Sequence, residues 1–262
     1  MPTLILSPRY DEDSIALWRT ASGEGWSVVR TQGWRVDPDA PRDGPVIYGE
    51  PLFAAAVAAQ LHCLLLEPPF EFLTRLPHRF LRRAVRFGHA AEIPSFGFPG
   101  FFKPADDKCF PAKVYRSEAE LPAHAIPDET PVLWSEPVQW SVEFRCFIAD
   151  RRCLTLSPYA RHSALAQAQD GSWPAAPEED AAAWQFATDL LSVADIELPP
   201  AFALDIGIIG EHGWAVVEAN PCWGTGLYGC DPGHVLQTLR RACVAQEGAG
   251  PECLRWVNTR RE

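Results

Sequence analysis

Short apolar runs and helically spaced segments alternate through the first seventy residues. Residues 3–6, 26–30, 46–48 and 63–67 are short and apolar, whereas 11–21 and 52–61 repeat their apolar positions three and four apart. That rhythm predicts a small open α/β layer, closed at Pro68-Pro69 where an extended chain breaks. Residues 76–87 carry an arginine-rich helical pattern ending at Gly88, and Glu92-Ile93-Pro94 predicts an extended exit. From 100 to 159 the period becomes two, so 101–104, 111–115, 132–138, 142–149 and 153–159 read as strands of a mostly antiparallel sheet. A short helix is expected at 117–120, where Ser117 and Glu120 are spaced for a capping box. A polar loop over 167–177 precedes an amphipathic helix over 178–194. Strands over 202–209 and 214–219, a glycine-rich turn over 224–229 and a helix over 233–245 follow. The fold class expected is α/β (α+β).

Composition narrows the function. With 262 residues and 47% hydrophobic content, the chain can bury a sizeable core, which excludes a disordered protein. A net charge of −11 opposes any role whose affinity comes from cationic neutralisation of nucleic-acid phosphates, so no nucleic-acid partner is expected. No apolar run approaches bilayer-spanning length, and the opening MPTLILSPRYDEDS lacks a cationic leader. No membrane partner and a cytoplasmic location are therefore expected. The eight cysteines form no Cys-x-x-Cys pair and lie within apolar patterns, as reduced structural thiols do.

The chemistry concentrates in three places. Two late strands, FALDIGII and WAVVEANP, are apolar except for Asp205, Glu218 and Asn220, and a short turn joins them as a hairpin. Glu218 and Asn220 share a face by the period of two, and Asp205 can face them from the paired strand. Two carboxylates and an amide oxygen suit a hard cation such as Mg²⁺; the alternative is a turn and strand-end role without metal. Lys103, in Phe-Phe-Lys-Pro, and Lys113, on the next strand, offer ammonium groups above a phosphate chain, with 105–110 as a lid. Either lysine can equally be a solvated charge, as Lys108 at the loop tip is expected to be. Glu136, Pro137 and Val138 form a polar hinge after an apolar strand, suited to frame a base, and Glu143 suits ribose hydroxyls. Arg145 shares the face of Glu143 and can reach phosphate or the reacting centre; a plain Glu143–Arg145 ion pair is the other reading. Arg161 lies just past a strand end, placed either to grip a carboxylate or to stand free at the surface. No Ser-His-Asp set and no His-Glu-x-x-His motif competes for the site.

The joint order is more specific than its pieces. A Lys-Pro strand end, a Glu-Pro-Val hinge, a Glu seven residues after the hinge Glu, then Asp and Glu-x-Asn thirteen residues apart resemble the ATP-grasp superfamily over residues 76–231. The resemblance implies an ATP-grasp fold: a pre-ATP-grasp layer over 1–74, then an ATP-grasp domain over 75–262, split into a nucleotide lid (75–137) and a metal-binding subdomain (138–262). It implies ATP and Mg²⁺ as cofactors. Lys103 then contacts the α- and β-phosphates, Glu136 with Pro137 and Val138 frames adenine, Glu143 holds ribose, and Asp205, Glu218 and Asn220 bind the metal. Where the family has a lysine near the start of the 76–87 helix, this chain has arginines. Arg75, Arg79, Arg82 and Arg86 fall on one helical face, and Arg79 is the first choice to reach phosphate, with a solvated basic face as the other reading. The replacement is similar to a subgroup associated with amino-acid or peptide ligation. The implied activity is a carboxylate–amine ligase acting through an acyl phosphate on a small-molecule, amino-acid or peptide substrate. The alternatives are an ATP-binding module without ligation and a phosphotransferase on the same scaffold.

Overall fold

The computed structural model describes residues 1–105, 109–122 and 126–258. The first layer contains β1 (Thr3–Leu6), α1 (Glu12–Gly23), β2 (Ser27–Arg30), β3 (Pro45–Tyr48) and α2 (Pro51–Gln60), with its strands parallel in the order β2-β1-β3. Asp11 starts α1 by a reciprocal cap: its carboxylate accepts the Ser14 N–H at 2.7 Å and the Ser14 hydroxyl accepts the Asp11 N–H at 3.2 Å. β4 (Cys63–Leu65) leaves this sheet and pairs instead with a strand near the far end of the chain.

The arginine-rich helix over 76–87 does not form. A 3₁₀ turn over Phe72–Arg75 and the single turn α3 (His78–Leu81) end at Arg82, whose φ is 50°, and the chain continues as β5 (Val85–His89). Tertiary pairing overrides local propensity here: residues 85–89 take backbone partners from a neighbouring strand, and Phe72, Leu73, Leu76, Phe80 and Leu81 anchor the turns in the core. The exit at Glu92-Ile93-Pro94 is also not extended. A 3₁₀ turn over Ala90–Glu92 runs into α4 (Ile93–Phe96), with Pro94 in its first turn.

β6 (Gly100–Pro104), β7 (Lys113–Tyr115) and β8 (Pro131–Ser135) complete a four-stranded antiparallel sheet, β5-β8-β6-β7. The turn after Ser117 is 3₁₀, and Glu120 accepts the Arg116 N–H rather than closing a box with Ser117. β9 (Trp140–Ala149), β10 (Arg152–Arg161), β11 (Ala164–Leu165), α5 (Pro177–Ser192), β12 (Ala201–Ile209) and β13 (Gly213–Asn220) follow. These strands make a five-stranded antiparallel sheet in the order β11-β10-β9-β12-β13. α6 (Pro232–Ala242) is shorter than the pattern over 233–245, because Cys243 turns extended and starts β14 (Cys243–Ala245), the partner of β4; α7 (Pro251–Leu254) ends the described elements.

The period of two sorts the five-stranded sheet into two faces. Phe144, Cys146 and Ile148 of β9 and Phe202, Leu204 and Ile206 of β12 pack on α5 and on the Phe72–Leu81 segment. Phe147, Ala201 and Ala203 face the other way, into a core shared by α6 and the N-terminal layer. A third core, with Phe102, Tyr115 and Trp134, stiffens the four-stranded sheet. All eight cysteines are free thiols. Among the described residues no helix is long and apolar enough to cross a membrane.

Candidate active site

One row of side chains crosses four strands of the large sheet. Ser157 pairs with Arg145, Arg145 with Asp205, and Asp205 with Glu218, so register alone lines these groups up on the face opposite the α5 core. Arg145 meets Asp205 as a fork, Nε to Oδ1 at 2.5 Å and Nη2 to Oδ2 at 2.8 Å. Its Nη1 donates to the Gly226 carbonyl at 2.9 Å and to the Thr225 hydroxyl. The pair is buried, with side-chain exposures of 4% and 0%. Burial acts against the charge on Arg145, but the adjoining Asp205 carboxylate outweighs it and raises the arginine's pKa. Burial also pushes the Asp205 carboxyl up to about 7 against the pull of Arg145, and the neighbouring Glu218 adds to that rise.

Glu218 is held from above. Lys103, on β6 of the smaller sheet, donates to its Oε2 at 2.5 Å, and the Asn220 amide donates to its Oε1 at 2.8 Å. Burial would lift Glu218, but the Lys103 charge and the two hydrogen bonds hold it down to about 2. A bulge at Val217 aims these groups: Asp205 pairs with Glu218 and Ile206 with Val216, leaving Val217 as the extra residue. Its carbonyl accepts Arg83 Nη2 at 3.0 Å, while Arg83 Nη1 binds the Val216 carbonyl at 2.7 Å.

Two cavities meet at this point, sharing Lys103, Glu218, Leu73 and Leu133 among their walls. The first, of about 430 Å³, is an apolar slot between the sheets, walled by Val85, Phe101, Val138 and Trp140, with Arg83, Glu143 and Tyr159 among its polar groups. The Arg83 guanidinium sits 5.0 Å from the Trp140 ring centroid, and burial lowers its pKa to about 10 although Glu143 and Glu218 favour its charge. Glu143 accepts the Tyr159 hydroxyl at 2.8 Å, and burial outweighs that bond to raise its pKa. Gly207 pairs with Glu143 because nothing larger fits: a Cβ there would lie 2.6 Å from the Val142 carbonyl oxygen. The second cavity, of about 680 Å³, reaches from Lys103, Glu218 and Asn220 to Pro68, Phe70, Phe110 and Tyr228.

The structure brings Lys103, Val138, Glu143, Glu218 and Asn220 to these cavities, with Arg145 on the edge of the second. Glu136 lines the slot, but its carboxylate accepts the Ala84 N–H at 2.8 Å, and Pro137 is exposed outside it. Four expectations are placed elsewhere. Lys113 turns its ammonium over the Tyr115 ring, because the period of two on β7 gives the slot to Val114. Arg79 lies over Phe80 beside a surface hollow with Phe186 and Asp189, since the helix that was to carry it inward is one turn long. Arg161 is paired with Glu179 of α5 at 2.6 Å, outside both cavities. Asp205 lines neither cavity, its two oxygens taken by Arg145. Lys108 lies outside the described residues, as does part of the expected lid over 105–110. Sequence reasoning passed over Arg83, the arginine off the helical face. The alternation of Val85, Arg86, Phe87 and Gly88 was the available sign of a strand.

The donor set fits magnesium in part. Glu218 and Asn220 face the cavity with hard oxygens, while Asp205 stands behind them under Arg145. Among the described residues no group of three or more His, Cys, Asp or Glu is placed to hold a metal ion.

Residues 80–238 match the family described as ATP-grasp domain, R-2-K clade family 2. Among solved structures the chain is similar to a RimK domain protein ATP-grasp from Sphaerobacter thermophilus DSM 20745, at 17% identity and TM-score 0.51 over 91% of this chain and 99% of that one. It is similar to a D-cycloserine synthetase at 15% identity and TM-score 0.58, over 91% and 98%. It is also similar to an L-amino acid ligase from Bacillus licheniformis at 13% identity and TM-score 0.56, over 97% and 78%. No curated protein matches the sequence. At such identities the structural likeness speaks for the fold alone, and the fold is the one the sequence led us to expect.

Proposed function

The chain belongs to this ATP-grasp domain family, and from that premise we propose that it is an ATP-dependent ligase joining a carboxylate to an amine. The observation that carries the reading is the meeting of two cavities at Lys103 and Glu218, with Asn220 beside them. The apolar slot suits a nucleotide: Val138 and Trp140 flank the base, Glu143 accepts ribose hydroxyls, and Arg83 and Lys103 face the phosphates. The larger cavity then receives the carboxylate and the amine. Its prolines and aromatic rings, together with the name of the L-amino acid ligase that the chain is similar to, support an amino-acid or peptide substrate.

In the first step a substrate carboxylate oxygen attacks the γ-phosphorus, the bond to the β,γ-bridging oxygen breaks, and ADP leaves. In the second, the amine attacks the acyl carbon, inorganic phosphate leaves, and the amine loses a proton. Lys103 must leave Glu218 to neutralise the phosphates, and Arg83 holds the slot from below, since phosphoryl transfer asks for positioning and charge neutralisation. Glu218 and Asn220, with Asp205 behind them, would hold magnesium, which would supply charge neutralisation at the β- and γ-phosphates.

The test is ADP release measured across amino-acid and peptide mixtures, with mass spectrometry of the product. A condensed product, its mass the sum of the two reactants less water, supports the ligase. A stable phosphorylated product, or ATP binding without any product, replaces it with a phosphotransferase or a binding module. ATP turnover that survives Glu218→Ala combined with Asn220→Ala overturns the metal assignment.

A further inference from the structure

Tyr159 links the two cavities through different atoms. It is the extra residue of a bulge: Pro158 pairs with Phe144 and Ala160 with Glu143, so Tyr159 has no register partner across β9, and its ring lies over the row that Ser157, two residues earlier, shares. At one end its hydroxyl donates to Glu143 Oε2 at 2.8 Å, in the slot. At the other its ring stacks on Tyr228, with centroids 4.9 Å apart and planes 17° apart, and Tyr228 lines the second cavity. The Arg145 guanidinium stands 5.5 Å from the Tyr159 centroid and 5.1 Å from that of Tyr228.

The loop that carries Tyr228 is held in a costly shape. Tyr228 has a φ of 53°, in the left-handed region, and Gly229 is pressed onto β10, where a Cβ would lie 2.4 Å from Ser157 Oγ. The same loop gives Thr225 and Gly226 to Arg145. Such a loop keeps its conformation only while its partners stay in place, and Tyr159 is a partner that also reaches the slot.

We propose that Tyr159 is a positioning residue that transmits nucleotide occupancy to the loop over 224–229, so that a filled slot orders the wall of the acceptor cavity. This rests on the reading of the slot as a nucleotide site. The coupling is a difference in loop stability between the empty and filled slot, carried by one hydroxyl and one ring.

Mg·ADP is the probe. Its affinity is measured by calorimetry, and amide hydrogen exchange over 224–229 is followed with and without it, in the wild type, Tyr159→Phe and Tyr159→Leu, each checked by thermal melting. In the wild type, saturating Mg·ADP should slow exchange of the loop roughly fivefold or more, the size of a modest coupling between sites. Tyr159→Phe keeps the stack and loses the hydroxyl, so Mg·ADP should bind roughly 5- to 30-fold more weakly. At saturation its loop should no longer respond. Tyr159→Leu should show a fast-exchanging loop in both states. A merely structural tyrosine would lower melting temperature and protection together and leave the response to Mg·ADP in the phenylalanine variant intact, which overturns the proposal. A wild type that binds Mg·ADP without slowing the loop overturns it alone, whereas a wild type that binds no Mg·ADP removes the nucleotide site as well.

Discussion

Two ion pairs stand side by side in this protein and differ in how they are built. Arg145 and Asp205 sit on adjacent strands of one sheet, are almost fully buried, and take their close partners from the main sheet and the loop above it. Lys103 and Glu218 belong to different sheets and are partly exposed, at 22% and 29%, where two cavities meet. A pair fixed by strand register cannot separate without disrupting the sheet, so it serves the fold and aims its neighbours. A pair between two sheets can open as they part, so it is the one able to exchange its partner for a ligand.

The contrast can be broken most severely at Arg145. Arg145→Met leaves the buried Asp205 carboxylate without its fork, and unfolding free energy from urea denaturation should fall by about 3–5 kcal/mol. A loss under about 1 kcal/mol, the range of an exposed pair, would show that the buried pair does not differ from the partly exposed one. Lys103→Met should do the opposite: ATP turnover drops on the order of 10²-fold or more, while stability falls by no more than about 2 kcal/mol.

A smaller effect separates two arginines of the segment before β5. Arg83→Ala should weaken nucleotide binding about tenfold, because it removes the cation beneath the slot, whereas Arg79→Ala should leave it within about twofold. Equal effects at the two positions would mean that the placement of Arg83 in the slot has no bearing on binding.

The smallest effect lies in the acid range. Glu218 has a folded pKa of about 2 against an ordinary 4.5, so the stability it draws from Lys103 is present above pH 4.5 and is lost as pH falls toward 2. The difference in urea midpoint between wild type and Lys103→Met should be constant above about pH 5 and shrink below about 4.5. A difference that persists undiminished near pH 2 would contradict the pairing.

What could be read in the sequence was what period and register control. Strands such as FALDIGII and WAVVEANP announce their length and faces by alternation, and three oxygen donors in apolar strands mark a site wherever those strands pair. That alternation, with the order of the residues along the chain, singled out Asp205, Glu218, Asn220, Glu143 and Lys103, and all but Asp205 line the two cavities. Tertiary structure decided the rest. Residues 82–89 became a turn and a strand because β8 offered backbone partners, so a helical face of arginines never existed and Arg83 took the slot. A bulge at Val217 turned Glu218 and Asn220 to the face opposite Val216, where alternation from Val216 alone would misplace them. Asp205 passed to Arg145 because the two are cross-strand partners at a depth where an unpaired carboxylate is costly. Alternation is a local property of the backbone and is written in the residues themselves. Partner choice depends on which strand arrives alongside, and only the folded chain supplies that.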